Sequence, residues 1–209
     1  MTPRRRNESQ LAEPCPTRPG TILWLLGPTS AGKTTLASRV VADLRQRGIP
    51  AIHFDGDEVR ELFGEELGFS DKSRFRVVSA LVHLANKARD AGLHVVVSAL
   101  TAGEDARAYV RAHVRNLTIG YVTCSIETCA RRDPKGLYRK AMNGEIDTLI
   151  GYNTEYRPAE NPDLILNTET RSLDELAALI VDRYVENSNS RKASFPSAAE
   201  FYEDSERRL

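Results

Sequence analysis

Residues 27–35 read G-P-T-S-A-G-K-T-T and follow the apolar run Ile22-Leu23-Trp24-Leu25-Leu26. The chemistry lies in the spacing. A G-x-x-x-x-G-K-[ST] loop behind a strand and ahead of a helix-forming stretch is a phosphate-binding pattern. Its Gly-rich turn points successive backbone N–H groups inward, and the helix N-terminus adds its positive end. Gly27, Ser30, Ala31, Gly32, Lys33, Thr34 and Thr35 form the expected cradle. Lys33 would reach the β- and γ-phosphates, and the Thr34 hydroxyl would sit on Mg²⁺. The loop predicts a bound nucleoside triphosphate and leaves open what its phosphate is used for.

A second constellation is Asp55-Gly56-Asp57-Glu58-Val59-Arg60, at the end of the next apolar segment. In an open parallel sheet the carboxyl ends of the strands line the ligand crevice. Two carboxylates there would face the P-loop. One could take a proton from an acceptor hydroxyl or support Mg²⁺, while Arg60 holds an anionic substrate. A turn that merely caps a solvated helix is the alternative. Ser98 and Thr101 end the third strand and reach toward the same crevice. Arg131-Arg132-Asp133-Pro134-Lys135-Gly136-Leu137-Tyr138-Arg139-Lys140 is a cationic cluster. Phosphoryl transfer needs cations around the moving group, because catalysis is mostly positioning and charge stabilisation. Arg132 and Lys135 are the expected cations. His53, His83, His94 and His113 show no metal-ligand spacing and read as structural.

The elements that must position these groups alternate. Strands are expected at 21–26, 50–54, 93–99, 117–124 and 164–166. Helices are expected at 34–47, about 73–91, 104–113, from 126 to 131, and 173–185. Strand–helix alternation predicts βαβ units around a parallel sheet, a three-layer α/β architecture with helices on both faces. About 133–162 carries charges, glycines and prolines with few apolar residues. Thirty weakly structured residues beside a P-loop predict a lid, which excludes water and favours transfer over hydrolysis. The domain is expected at 20–186. Residues 1–19 are expected to form a disordered or loosely docked tail, and 187–209 a polar C-terminal tail or docked arm.

Composition narrows the partners. The 209 residues hold 29 Lys and Arg against 29 Asp and Glu, a formal net charge of zero. This balance argues against nucleic acid as a partner. No apolar run approaches the roughly 18 residues of a membrane span, and the basic N-terminus lacks the apolar core of a secretory signal. Cys15, Cys124 and Cys129 contain no C-x-x-C pair. The last two read as buried apolar residues, and the compartment as reducing and cytoplasmic.

Taken together, these residues resemble the adenylylsulfate kinases. The similarity runs from about Gly20 to Val185 and includes the P-loop, D-G-D-E-V-R and Leu67-Gly68-Phe69-Ser70. It is greatest in R-D-P-K-G-L-Y-R-K-A-M-N-G-E-I and in P-A-E-N-P, which ends at Pro162. The resemblance implies a P-loop kinase fold, ATP and Mg²⁺, and often a homodimer. It also implies phosphorylation of the 3′-hydroxyl of a sulfated adenine nucleotide. Asp57 matches the family's proposed base, and Arg60, Phe69 and Arg74 match acceptor-binding positions. Asp55, Ser98 and Leu149 complete the expected acceptor side.

The chain departs from the family pattern on that side. Val77 stands for an asparagine, and Ser79 and Ala80 stand for two arginines. The S-P-Y-R that follows the third strand is Thr101-Ala102-Gly103-Glu104, and the lid phenylalanine is Leu149. A base–aromatic stack is worth about 1–3 kcal/mol, and a charge-assisted hydrogen bond about 1.5–3 kcal/mol. Several such losses would weaken an adenylylsulfate site unless Tyr152, Tyr156, Phe75 or Arg76 replace them. The acceptor is thus a small, anionic, nucleotide-like molecule, with adenylylsulfate the leading named one. Another nucleotide conjugate is the second reading. A catalytically weak regulatory module is the third, and the intact Lys33, Thr34, Asp57 and Lys135 argue against it.

Overall fold

Ile22, Leu23, Trp24, Leu25 and Leu26 are all buried, so the first strand can only lie inside a covered sheet. Strands buried on both faces read as continuous apolar runs, and parallel sheets are the usual reason. The computed structural model describes residues 19–64 and 67–192, with side chains through Tyr184. Cys15, nearly all of the expected N-terminal tail, and residues 193–209 lie outside the described residues.

Five strands build the sheet: β1 (Ile22–Leu26), β2 (Ala51–Asp55), β3 (His94–Ser98), β4 (Leu117–Thr123) and β5 (Leu164–Asn167). Their order is β2-β3-β1-β4-β5, and every pair is parallel. The helices are α1 (Lys33–Gln46), α2 (Gly56–Glu61), α3 (Asp71–Asp90), α4 (Glu104–His113), α5 (Ile126–Arg132), α6 (Leu137–Met142) and α7 (Leu173–Lys192). Leu23, Leu25 and Val96 pack with α1 and α7 on one face. Ile22, Trp24, Val95 and Val97 pack with α3 and α4 on the other. The α/β fold expected from the alternation is the fold observed. Each Val, Leu or Ile so buried contributes about 1.5–3 kcal/mol.

Neighbours β1 and β4 send their connections in opposite directions along the sheet, β1 to β2 and β4 to β5. Such a switch point opens a crevice at the carboxyl ends of the strands. The register brings Leu25 beside Ser98 and Ser98 beside Asp55, so the ends of β1, β3 and β2 come level there.

The helix ends differ from expectation for local reasons. Asp55 caps α2 by accepting the Asp57 N–H at 2.8 Å, so the D-G-D-E-V-R segment is a helix start. The Ser70 side chain accepts the Ser73 N–H, which moves the start of α3 up to Asp71. The expected lid contains α6, and α7 runs on to Lys192. Among the described residues no helix is long and apolar enough to cross a membrane. Cys129 is buried and Cys124 partly buried.

Candidate active site

The P-loop leaves β1 through a backbone that only glycine allows. Gly27 has φ +153°, and a Cβ there would lie 2.2 Å from the Val122 carbonyl oxygen. Gly32, at φ +94°, turns the chain into α1 from the left-handed region, which is strained for other residues. Lys33 folds back over the loop, and its Nζ donates to the carbonyls of Gly27 at 2.9 Å and Pro28 at 2.7 Å. Protein atoms crowd the ammonium although part of the side chain faces the cleft. Burial, opposed by Asp57 and Asp55, lowers it from 10.5 to about 8.

Thr34 is exposed at the cleft, and its hydroxyl donates to Asp55 Oδ2 at 2.7 Å. Ser98 Oγ donates to the same oxygen at 2.6 Å. Burial works against the Asp55 charge, yet the bonds from Ser98, Thr34 and the Asp57 N–H outweigh it. The carboxyl is held below the usual carboxylate range. A hydroxyl backed by an ionised carboxylate is a hard-oxygen arrangement that suits Mg²⁺, which keeps several waters and binds through few protein groups plus phosphates. No group of three or more His, Cys, Asp or Glu side chains among the described residues is placed to hold a metal alone.

The end of α5 and the start of the lid make three contacts around the loop and its neighbours. Lys135 ion-pairs with Asp57, and both side chains are more than half exposed. Such a pair is worth about 0–1 kcal/mol, so a phosphate can take Lys135 and release the Asp57 carboxylate at little cost. Arg132 donates to Thr168 Oγ1 at 3.0 Å and to the Thr168 carbonyl at 2.8 Å. Thr168 Oγ1 in turn donates to the Ala31 carbonyl at 2.8 Å. The buried Tyr138 donates its hydroxyl to the Thr29 carbonyl at 3.2 Å.

The same cleft, about 1040 Å³, extends from the loop to the tip of α3. Phe69 stands there 59% exposed, flanked by the Arg60 and Arg74 guanidiniums at 5.0 and 5.9 Å from its centroid. Arg60 donates to the Gly68 carbonyl at 2.6 Å, and Arg74 to the Phe69 and Thr148 carbonyls at 2.9 and 3.0 Å. Arg74 thereby ties α3 to the lid. The apolar Val77, Leu149, Ile146 and Leu100 complete this half of the wall.

The structure therefore gathers Ser30, Gly32, Lys33, Thr34, Thr35, Asp55, Asp57, Arg60, Phe69, Arg74, Ser98, Arg132, Lys135 and Leu149 around one cleft. Gly27 and Ala31 lie behind it and act through their carbonyls. Of the departures, Val77 lines the cleft, Ser79 lies 3.5 Å from the Tyr109 hydroxyl, and Ala80 packs against the core. Three contributors were missed. Thr168 follows the last strand, where the carboxyl-end rule could have found it. Arg107, 3% exposed, donates to the Thr101, Arg157 and Pro158 carbonyls at 2.9, 2.7 and 3.0 Å, fastening the loop after β3 to the end of the lid. Its only sequence signal is a place on the buried side of α4. His53, expected to be structural, lies 2.9 Å from Ser98 Oγ, next to the machinery.

This fold and cleft define a P-loop phosphotransferase. The chain belongs to the adenylylsulphate kinase family, whose model matches residues 19–167. An adenylyl-sulfate kinase from Synechococcus sp. (strain JA-2-3B'a(2-13)) is 36% identical over 164 residues, covering 78% of this chain and 94% of that protein. One from Bacillus licheniformis is 34% identical over 168 residues, covering 79% and 85%. Among solved structures, an APS kinase from Mycobacterium tuberculosis in complex with AMPPNP and APS superposes with a TM-score of 0.75. It is 34% identical, and the match covers 80% of this chain and 98% of that one. The chain is accordingly an ATP-dependent phosphotransferase that acts on a hydroxyl group.

Proposed function

We propose that this enzyme transfers the γ-phosphate of ATP to the 3′-hydroxyl of adenylylsulfate, with Mg²⁺ as its metal. One observation carries the reading. The P-loop, the Asp57–Lys135 pair and Phe69 with the Arg60 and Arg74 guanidiniums over its ring all line a single cleft. An exposed aromatic side chain with two guanidiniums over its ring offers the apolar surface and the cations that a planar base with an anionic tail needs. The relatives named as adenylyl-sulfate kinases support the same acceptor.

In this reading the Thr34 hydroxyl, whose proton is held by Asp55, would be the protein's ligand to the metal. A Mg²⁺ ion bound there would supply charge neutralisation on the phosphate oxygens. Asp57 takes the proton of the acceptor hydroxyl as its oxygen bonds to the γ-phosphorus and the bond to the β-phosphate oxygen breaks. Lys33, Lys135 and Arg132 balance the charge on the moving group and the leaving ADP. Closure of the lid, residues 133–162, over the cleft would exclude water. A homodimer belongs to the same reading, and light scattering tests it.

A second reading, another nucleotide conjugate as acceptor, draws on the aliphatic wall at Val77 and Leu149. Incubation with ATP, Mg²⁺ and a panel of hydroxyl acceptors, followed by mass spectrometry, separates the two. Preferred phosphorylation of adenylylsulfate supports the first. Its refusal, with turnover of another conjugate, supports the second.

A further inference from the structure

His53 lies outside the cleft lining, yet it heads a hydrogen-bond chain that ends on the P-loop. It shares the α1 face of β2 with Asp55, two residues on, and Ser98 stands beside Asp55 in the register. His53 Nε2 lies 2.9 Å from Ser98 Oγ, Ser98 Oγ lies 2.6 Å from Asp55 Oδ2, and Thr34 Oγ1 lies 2.7 Å from the same carboxylate oxygen. Asp55 and Ser98 are 5% and 2% exposed, so water does not compete freely for these groups.

A proton count orients the chain. An ionised carboxylate only accepts, and a serine hydroxyl has one proton to give. Asp55 Oδ2 receives the Ser98 and Thr34 protons, and Asp55 Oδ1 receives the Asp57 N–H. With its proton committed to Asp55, Ser98 Oγ meets His53 only as an acceptor. His53 must therefore carry a proton on Nε2. In the opposite tautomer Nε2 would be a bare lone pair competing with Asp55 for the Ser98 proton.

We infer that His53 is a positioning residue for phosphoryl transfer: its Nε2–H orients Ser98, Ser98 holds Asp55, and Asp55 sets the Thr34 hydroxyl that faces the phosphates. The role belongs to the donor half of the cleft. It rests on the kinase reading proposed above, and not on which acceptor is used.

Nitrogen-15 NMR of the imidazole in the free protein reads the tautomer without any substrate. The expected signal is protonated Nε2, and an Nδ1–H tautomer overturns the inference whatever the acceptor proves to be. Turnover of the preferred acceptor tests the role. His53→Leu removes the donor and is expected to lower kcat roughly tenfold, while His53→Gln, whose amide N–H can reach Ser98, restores most of it. In a Ser98→Ala background the His53→Leu change is expected to cost less than about twofold, because its effect travels through that hydroxyl. Equal losses for Leu and Gln, or an undiminished loss in the Ser98→Ala background, would contradict a positioning role and leave His53 as packing. Failure of adenylylsulfate to react would overturn the proposed acceptor while the tautomer still decides the role of His53.

Discussion

Lys135 and Asp57, 78 positions apart in sequence, form an ion pair across the mouth of the cleft. The lid thus lies against the carboxylate proposed as the base. Because both partners are more than half exposed, the pair adds little stability and opens easily.

Asp57→Asn keeps the shape of the side chain and removes its basicity. It is expected to lower kcat by about 10²–10⁴-fold while ATP affinity changes less than about threefold. Single-turnover kinetics with a binding titration check this. Equal losses in both would move Asp57 to a structural or metal-supporting role.

Lys33 makes ATP binding depend on pH with a definite sign. Burial holds its ammonium near 8 in the free protein, and arriving phosphates favour the charged form. Binding therefore takes up a proton, roughly half a proton per site at pH 8, more toward pH 9 and almost none at pH 6.5. Calorimetry in two buffers of different ionisation enthalpy measures it. Lys33→Met should abolish both this uptake and transfer, with the melting transition retained. Near-normal turnover in that variant would refute the P-loop assignment.

Thr168→Val deletes the hydroxyl that joins Arg132 to the Ala31 carbonyl. The phosphate cradle loses one brace, and KM for ATP is expected to rise roughly fivefold while KM for the acceptor changes little. Steady-state kinetics on both substrates distinguish the two ends of the cleft. A selective rise in the acceptor KM would place Thr168 on the wrong side.

Tyr138 combines a buried ring with a hydroxyl bonded to the Thr29 carbonyl. Tyr138→Phe should cost about 1 kcal/mol of stability, and Tyr138→Ala about 3–5 kcal/mol. Denaturant melts report both. Similar small costs would show that the lid base is not part of the core.

What was legible in the sequence is what repeats along it. The apolar run before Gly27 could only be a buried strand, and the spacing of Gly27, Gly32, Lys33 and Thr34 carried the donor chemistry. Asp55 was legible because it ends a strand in a parallel sheet, and Asp57 because it lies two residues further on, in the first turn of the helix that follows. Groups that act across long separations were not. Thr168 meets Ala31 from 137 positions away, and Arg107 holds carbonyls some 50 positions further on. Backbone carbonyls have no residue type, so their partners leave no pattern. His53 was passed over for a related reason. Its meaning lies in a neighbour on the next strand, and register is fixed only in the fold.

The most direct test of the account is the position of the transferred phosphate. Purified protein is incubated with adenylylsulfate, Mg²⁺ and ATP labelled in the γ-phosphate, and the product is located by mass spectrometry and phosphorus NMR. The account predicts label on the 3′-oxygen, dependent on Lys33 and Asp57. ATP turnover with no label on adenylylsulfate, or label at any other oxygen, would contradict it.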